Sequence, residues 1–182
     1  KDQDNENWIY DATYQFIRSR VNANKCLKVS GGNIELATCD YGSTKTSMQW
    51  TLPNEYSQVL SGNNRRIYLG KDENKCVEVA GVYSTIINKH NIEVGDCRSN
   101  YKGQNFIFDG ANIKLRYYNS YCIDLENGNT SNDTNIQILK CNGSSKQEWI
   151  YDAISGRIHS KLDLNKCMSF TNGQTNNGTN IK

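Results

Sequence analysis

The chain has 182 residues, 36% hydrophobic and 22% charged, with 21 basic against 19 acidic side chains and a formal net charge of +2. That balance suits a folded soluble domain rather than a disordered chain. It also supplies no field to neutralise a phosphate backbone, so no nucleic acid is expected as a partner. No apolar run approaches the roughly 20 residues that cross a bilayer, and Lys1 to Asn7 are polar rather than a signal-peptide core; no membrane insertion is expected.

In chain order, the first recognisable element is Trp8-Ile-Tyr-Asp-Ala12, followed by a strand over Phe16 to Arg20. Asn24-Lys25-Cys26 then opens the alternating segment Cys26-Leu-Lys-Val29, Gly31-Gly32 makes a hairpin turn, and Asn33-Ile-Glu-Leu-Ala-Thr-Cys39 returns. Met48-Gln-Trp50 closes this cassette. The pattern recurs with a strand over Arg66 to Leu69, Asn74-Lys75-Cys76, Asn91-Ile-Glu-Val-Gly-Asp-Cys97 and Gln104-Asn-Phe106. It recurs again with Lys114 to Tyr118, Ser120-Tyr121-Cys122, Asn135-Ile-Gln-Ile-Leu-Lys-Cys141 and Gln147-Glu-Trp149. A fourth start, Asn165-Lys166-Cys167, runs to Asn180-Ile-Lys182. The spacings between the first cysteines are 50, 46 and 45 residues. Their sum, 141, is also the offset at which Trp8-Ile-Tyr-Asp-Ala12 reappears as Trp149-Ile-Tyr-Asp-Ala153, so the chain returns to its starting phase after three units.

Each cassette reads as four short strands, giving twelve in an all-β fold. Paired cysteines with Gln-x-Trp in three phased cassettes resemble the ricin-type lectin family, a group of ricin B-like β-trefoils that bind carbohydrate. The resemblance implies a β-trefoil of three four-strand repeats with one disulfide in each: Cys26–Cys39, Cys76–Cys97 and Cys122–Cys141. It places the trefoil at 16–156, in repeats of about 16–60, 61–111 and 112–156. Residues 1–15 are then the closing strand of a preceding repeat or an extension, and 157–182 a partial further repeat. Trp50, Phe106 and Trp149 are expected to point inward as core. Cys167 is left over, which is expected if the chain is a piece of a longer tandem array.

The family's sugar site uses an aspartate two residues after the first cysteine, a supporting glutamine, an aromatic platform two residues before the second cysteine, and an asparagine before Gln-x-Trp. The first cassette has Lys28, Glu35, Ala37 and Ser47 at these places, so no sugar is expected there. The second has Glu78, Glu93, Gly95 and Gly103, with Tyr83 in the enlarged loop as a possible ring. The third keeps Asp124 and Gln137, but Leu139 and Lys146 replace the aromatic and the asparagine. The carbohydrate-binding candidates are therefore Asp124, Gln137, Leu139 and Lys146, with Glu78 and Tyr83 behind them.

Two histidines, His90 and His159, have no partner at catalytic spacing, and the cysteines are committed to the cassettes. No catalytic residues, metal or cofactor are expected. Seven cysteines without a CxxC pair indicate an oxidising compartment, hence a secreted or extracellular-surface protein. Sequons at Asn129, Asn132, Asn142 and Asn177 are candidate N-glycosylation positions. The functional expectation is a lectin-like module binding a glycan, galactose-type sugars included, for attachment to cells or glycans. The alternative is a trefoil that no longer binds sugar and instead contacts other protein domains.

Overall fold

A computed structural model describes residues 8–42, 45–50, 66–70, 72–82 and 88–182. They form fourteen strands, and the only helical segments among them are turns of three or four residues. The chain divides into two compact units, Lys1–Leu60 with Ile150–Cys167, and Ser61–Trp149 with Met168–Lys182.

The first unit holds β1 (Trp8–Asp11), β2 (Phe16–Ser19), β3 (Lys25–Ser30), β4 (Asn33–Thr38), β12 (Trp149–Asp152, from Ile150 onward), β13 (Arg157–Ser160) and β14 (Asp163–Cys167), in the sheet order β14-β13-β12-β1-β2-β3-β4. Gly31 and Gly32 turn β3 into β4 with φ of +56° and +85°, the left-handed pair that a two-residue hairpin needs. Phe16, Met48 and the Cys26–Cys39 disulfide pack as one cluster, and Ile9, Ile150 and Leu164 as another. Beside the Phe16 ring lies a buried ion pair: the Arg18 Nε and Nη2 donate to Asp11 Oδ2 at 2.7 and 2.5 Å. Arg18 Nη1 also donates to Ala23 O and Tyr41 Oη, so the guanidinium is satisfied on every side. At the offset of 141, Asp152 and His159 occupy the same places. Both are buried, and His159 Nδ1 meets Leu164 O at 2.9 Å.

The second unit holds β5 (Tyr68–Leu69), β6 (Asp72–Val79), β7 (His90–Asp96), β8 (Phe106–Asp109), β9 (Asn112–Leu115), β10 (Tyr118–Leu125) and β11 (Ile136–Lys140), in the order β5-β6-β7-β11-β10-β9-β8. The β6–β7 and β10–β11 hairpins share one register: Cys76 faces Gly95 as Cys122 faces Leu139, and Val79 faces Ile92 as Leu125 faces Ile136. Residues 169–182 make a third hairpin of the same kind, with Ser169 and Lys182 exchanging two 2.8 Å backbone bonds and Phe170 bridging Ile181. The three meet at their Asn-Ile starts. The Ile181 N–H donates to Ile92 O (3.0 Å), Ile136 N–H donates to Ile181 O (3.3 Å), and all three isoleucines are buried.

The three expected disulfides form, each within its own hairpin, with Cα–Cα distances of 5.0 to 5.1 Å. Cys167 is a free thiol on β14. Phe106 and Trp149 are core residues as expected, but Trp50 is only partly buried; the residues expected to continue a strand from it lie outside the described residues, and Gln49 before it bridges Phe16. In its hairpin, β3–β4, Val29, Ile34 and Leu36 are exposed. Replacing Asp11 with Ala strands the buried Arg18 charge and should cost about 3 to 5 kcal/mol of unfolding free energy, read from urea denaturation.

Candidate functional site

In the third cassette, β10 carries Asp124 directly opposite Gln137 of β11. The carboxylate has 0% exposure, and three side chains hold it. Gln137 Nε2 donates to Oδ1 at 3.0 Å, Gln147 Nε2 donates to Oδ2 at 3.1 Å, and the Lys146 ammonium lies 3.7 Å from Oδ2. Gln147 belongs to the Gln-x-Trp closure. It also donates to Lys140 O and accepts from Asn142 N–H, while Trp149 Nε1 donates to Ile123 O. The closing motif therefore fastens both the acid and the end of the hairpin.

The second cassette repeats this wiring with a longer acid. Gln104 Nε2 donates to Glu78 Oε2 and to Asp96 O, both at 2.7 Å, and its Oε1 accepts from Arg98 N–H. The Arg98 guanidinium caps Glu78 at 2.6 Å and lies 4.0 Å from the centre of the Tyr101 ring. Tyr101 in turn donates to Val79 O and accepts from Val82 N–H. A Cβ on Gly95 would overlap the Glu78 carboxylate, and one on Gly103 would meet the Tyr101 ring and Val79 O. Glycine at these two family positions is thus what makes room for the longer arm and the tyrosine.

In the first cassette Met48 occupies the glutamine's place, and its Sδ accepts from Asp40 N–H where the glutamines accept from Arg98 and Asn142 N–H. Trp50 Nε1 still donates to Leu27 O. The acid is gone as well: Lys28 pairs with Glu35 across the strands at 3.5 Å. The glutamine and the carboxylate it would fasten are absent together.

The structure thus brings Asp124, Gln137 and Lys146 into one cluster, with Leu139 half-buried beside Gln137 in β11, and places Glu78 in the equivalent cluster. Tyr83 lies outside the described residues. Arg98 and Tyr101 escaped the sequence reading. Their signal, a cation directly after the second cysteine and a ring three residues on, has no counterpart in the other cassettes. The sequon asparagines are all exposed, but Asn177 Nδ2 donates to Asp96 Oδ2 and its Oδ1 accepts from Lys75. Among the described residues, no group of three or more His, Cys, Asp or Glu side chains is placed to hold a metal ion, and no helix is long and apolar enough to cross a membrane.

Replacing Gln147 with Leu removes the donor that faces the buried Asp124. The loss should be about 1.5 to 3 kcal/mol in urea unfolding. Glu93, directly opposite Glu78, has its carboxyl pushed above the ordinary value by burial and by the Glu78 charge, with Arg98 partly offsetting. The native state therefore binds this proton more tightly than the unfolded chain, and its contribution is present at low pH and lost as pH rises through the folded value. Glu93→Gln should raise the unfolding midpoint at pH 7, with the gain disappearing below about pH 4.

No curated protein matches the chain. Among solved structures, it is similar to the designed threefold-symmetric protein ThreeFoil (17% identity, TM-score 0.57), covering 66% of this chain and 87% of that one. It is also similar to a mosquitocidal holotoxin (18%, 0.51), covering all of this chain but 22% of the toxin, so the chain spans about a fifth of that protein's length. A third likeness is to the β-trefoil lectin of the Vibrio vulnificus hemolysin/cytolysin, solved with N-acetyl-D-lactosamine (13%, 0.50), covering 66% of this chain and 82% of that one. These likenesses show the fold. The family model for the ricin-type β-trefoil lectin domain matches residues 66–182, which starts one cassette later than the 16–156 frame and takes in the three hairpins that meet at Ile92, Ile136 and Ile181. On that match, the chain belongs to the ricin-type β-trefoil lectin family of carbohydrate-binding modules.

Proposed function

We propose that this chain is the glycan-binding module of a secreted or surface protein, with its principal site in the third cassette. The observation that carries this reading is the preorganised Asp124 carboxylate, oriented by Gln137 and Gln147 before any ligand arrives. Lys146 is a quarter exposed and sits at a long 3.7 Å, so it is the contact that a sugar hydroxyl replaces. Once Lys146 swings aside, adjacent hydroxyls donate to Asp124, and Leu139 offers an apolar surface to the ring face. The surface is aliphatic rather than aromatic, which forfeits about 0.5 to 1.5 kcal/mol of stacking and makes the site weak when it acts alone.

Glu78 is the second site. Its longer arm and the Arg98 cap suit a glycan that can also satisfy a guanidinium, and two weak sites on one chain gain from a multivalent ligand. Galactose-type sugars are the first class to test. The three disulfides support an oxidising, extracellular setting. A lectin-type trefoil is a binding scaffold, and the proposed role is recognition rather than turnover. The exposed apolar face of β3–β4 favours a second role, contact with other protein domains.

A glycan array probed with the native protein should give binding that Asp124→Asn reduces at least tenfold and Glu78→Gln reduces less, with circular dichroism unchanged. An array silent for the native chain, or binding untouched by both substitutions, would sink the sugar-binding reading.

A further inference from the structure

Asparagine followed by glycine occurs four times in the chain, at Asn127, Asn142, Asn172 and Asn177. This dipeptide rearranges in water without any catalyst when the glycine nitrogen reaches the asparagine Cγ, because glycine has no side chain to obstruct the approach. A hydrogen bond that holds the glycine N–H opposes the reaction, and so do ties that hold the asparagine amide. Three of the four are restrained in these ways. The Gly178 N–H donates to Val94 O at 2.8 Å, and the Asn177 amide is held at both ends, by Asp96 and by Lys75. The Gly173 N–H donates to Phe170 O at 3.1 Å. Gly128 ends the 3-10 turn Glu126–Gly128, whose i to i+3 bonding engages its N–H in the same way.

Asn142 differs. It and Gly143 are exposed, a Cβ built on Gly143 would meet nothing within 4 Å, and the Gly143 N–H has no hydrogen-bond partner among the described residues. The Asn142 side chain is folded over the backbone that follows it, with Oδ1 accepting from the Ser144 N–H at 3.0 Å. Such a turn holds Cγ near the Gly143 nitrogen and polarises the carbonyl that the nitrogen attacks. In the first cassette Asp40 stands in the same place after the second cysteine and makes the same turn, accepting from the Gly42 N–H at 2.7 Å.

We propose that Asn142–Gly143 is a self-modifying site at which the chain deamidates, and that the isoaspartyl product loosens Gln147. The Gly143 nitrogen loses its proton and bonds to Asn142 Cγ, and ammonia leaves, giving a succinimide ring. Water then opens the ring on one side or the other. Cleavage of the Cγ–N bond gives aspartate, whereas cleavage of the bond between the Asn142 backbone carbonyl and the Gly143 nitrogen leaves the main chain running through Cγ and one carbon longer. The net change is water in and ammonia out. Aspartate keeps the turn, as Asp40 does. The isoaspartyl link does not fit, because Gln147 grips both sides of it: Oε1 accepts from the Asn142 N–H at 2.9 Å, and the Gln147 N–H donates to Ser144 O at 3.0 Å. A longer path between those anchors breaks one of them, and Gln147 is also the donor that faces the buried Asp124. The inference rests on that tie and not on sugar binding.

The purified native protein is aged in mildly alkaline buffer beside a sample unfolded in guanidinium chloride. Both are mapped by peptide mass spectrometry, with isoaspartate detected by an isoaspartyl methyltransferase. In the folded protein the amide of Asn142 should convert at least tenfold faster than those of Asn127, Asn172 and Asn177, while in the unfolded sample the four should react at similar rates. The isoaspartyl fraction should unfold at a lower urea concentration than fresh protein, and Asn142→Asp close to the native one. Conversion of Asn142 no faster than the other three in the folded state overturns the site. An isoaspartyl fraction with the native midpoint overturns the link to Gln147.

Discussion

A two-stranded hairpin with one apolar face cannot bury that face by itself, and this limitation governs the architecture. In the second unit three hairpins solve it jointly: they meet through backbone bonds at Ile92, Ile136 and Ile181, and all three isoleucines are buried. Full burial of a branched aliphatic side chain is worth about 1.5 to 3 kcal/mol, so the meeting point contributes on a scale comparable with a disulfide's effect on the unfolded chain. The disulfides are local devices: each holds two strands in register but leaves the inner face as apolar as before. Cover must come from elsewhere in sequence, which is why a repeat period near 45 to 50 residues and a threefold arrangement go together.

The features legible in the sequence were those set by local register. The cysteine pairs, the Asn-Ile strand starts and the aromatic closures recur from cassette to cassette, and the Gly31-Gly32 turn marks the first, because each is determined within one cassette. Asp124 opposite Gln137 is such a feature, and the structure places them as cross-strand neighbours. Burial was not legible in the same way. Ile34 and Ile92 have nearly identical surroundings in sequence and differ from 62% to 0% in exposure, because their cover depends on which other hairpins converge. Nor did spacing reveal that the glutamine of the closing motif reaches back to the acid, since Gln147 and Asp124 lie 23 residues apart. The trefoil frame was ambiguous for a related reason: a periodic chain carries the same repeat whether counting begins at the first cassette or the second.

The glutamine–carboxylate tie also accounts for how the cassettes differ. A buried acid requires donors, and a buried glutamine requires acceptors. Where Gln104 and Gln147 persist, Glu78 and Asp124 persist with them. Where Met48 stands in the glutamine's place, Lys28 stands in the acid's, and the cross-strand pair with Glu35 is a partly exposed ion pair. Arg98 and Lys146 cap the two surviving acids from different backbone positions. Each buried acid is therefore balanced by a cation, supplied in the two cassettes from non-equivalent places in the sequence.

The glycine at position 95 sets the terms on which the second cassette can change. Any side chain there collides with a carboxylate that Arg98 and Gln104 hold in place. An aromatic ring could return only together with a shorter acid at position 78, and the acid could shorten only by surrendering its hold on the arginine. Each single step alone gives up contacts before the other can repay them. Positions 78 and 95 are consequently coupled, so that a substitution at either is felt at the other, whereas Arg98 meets the same carboxylate from its exposed side.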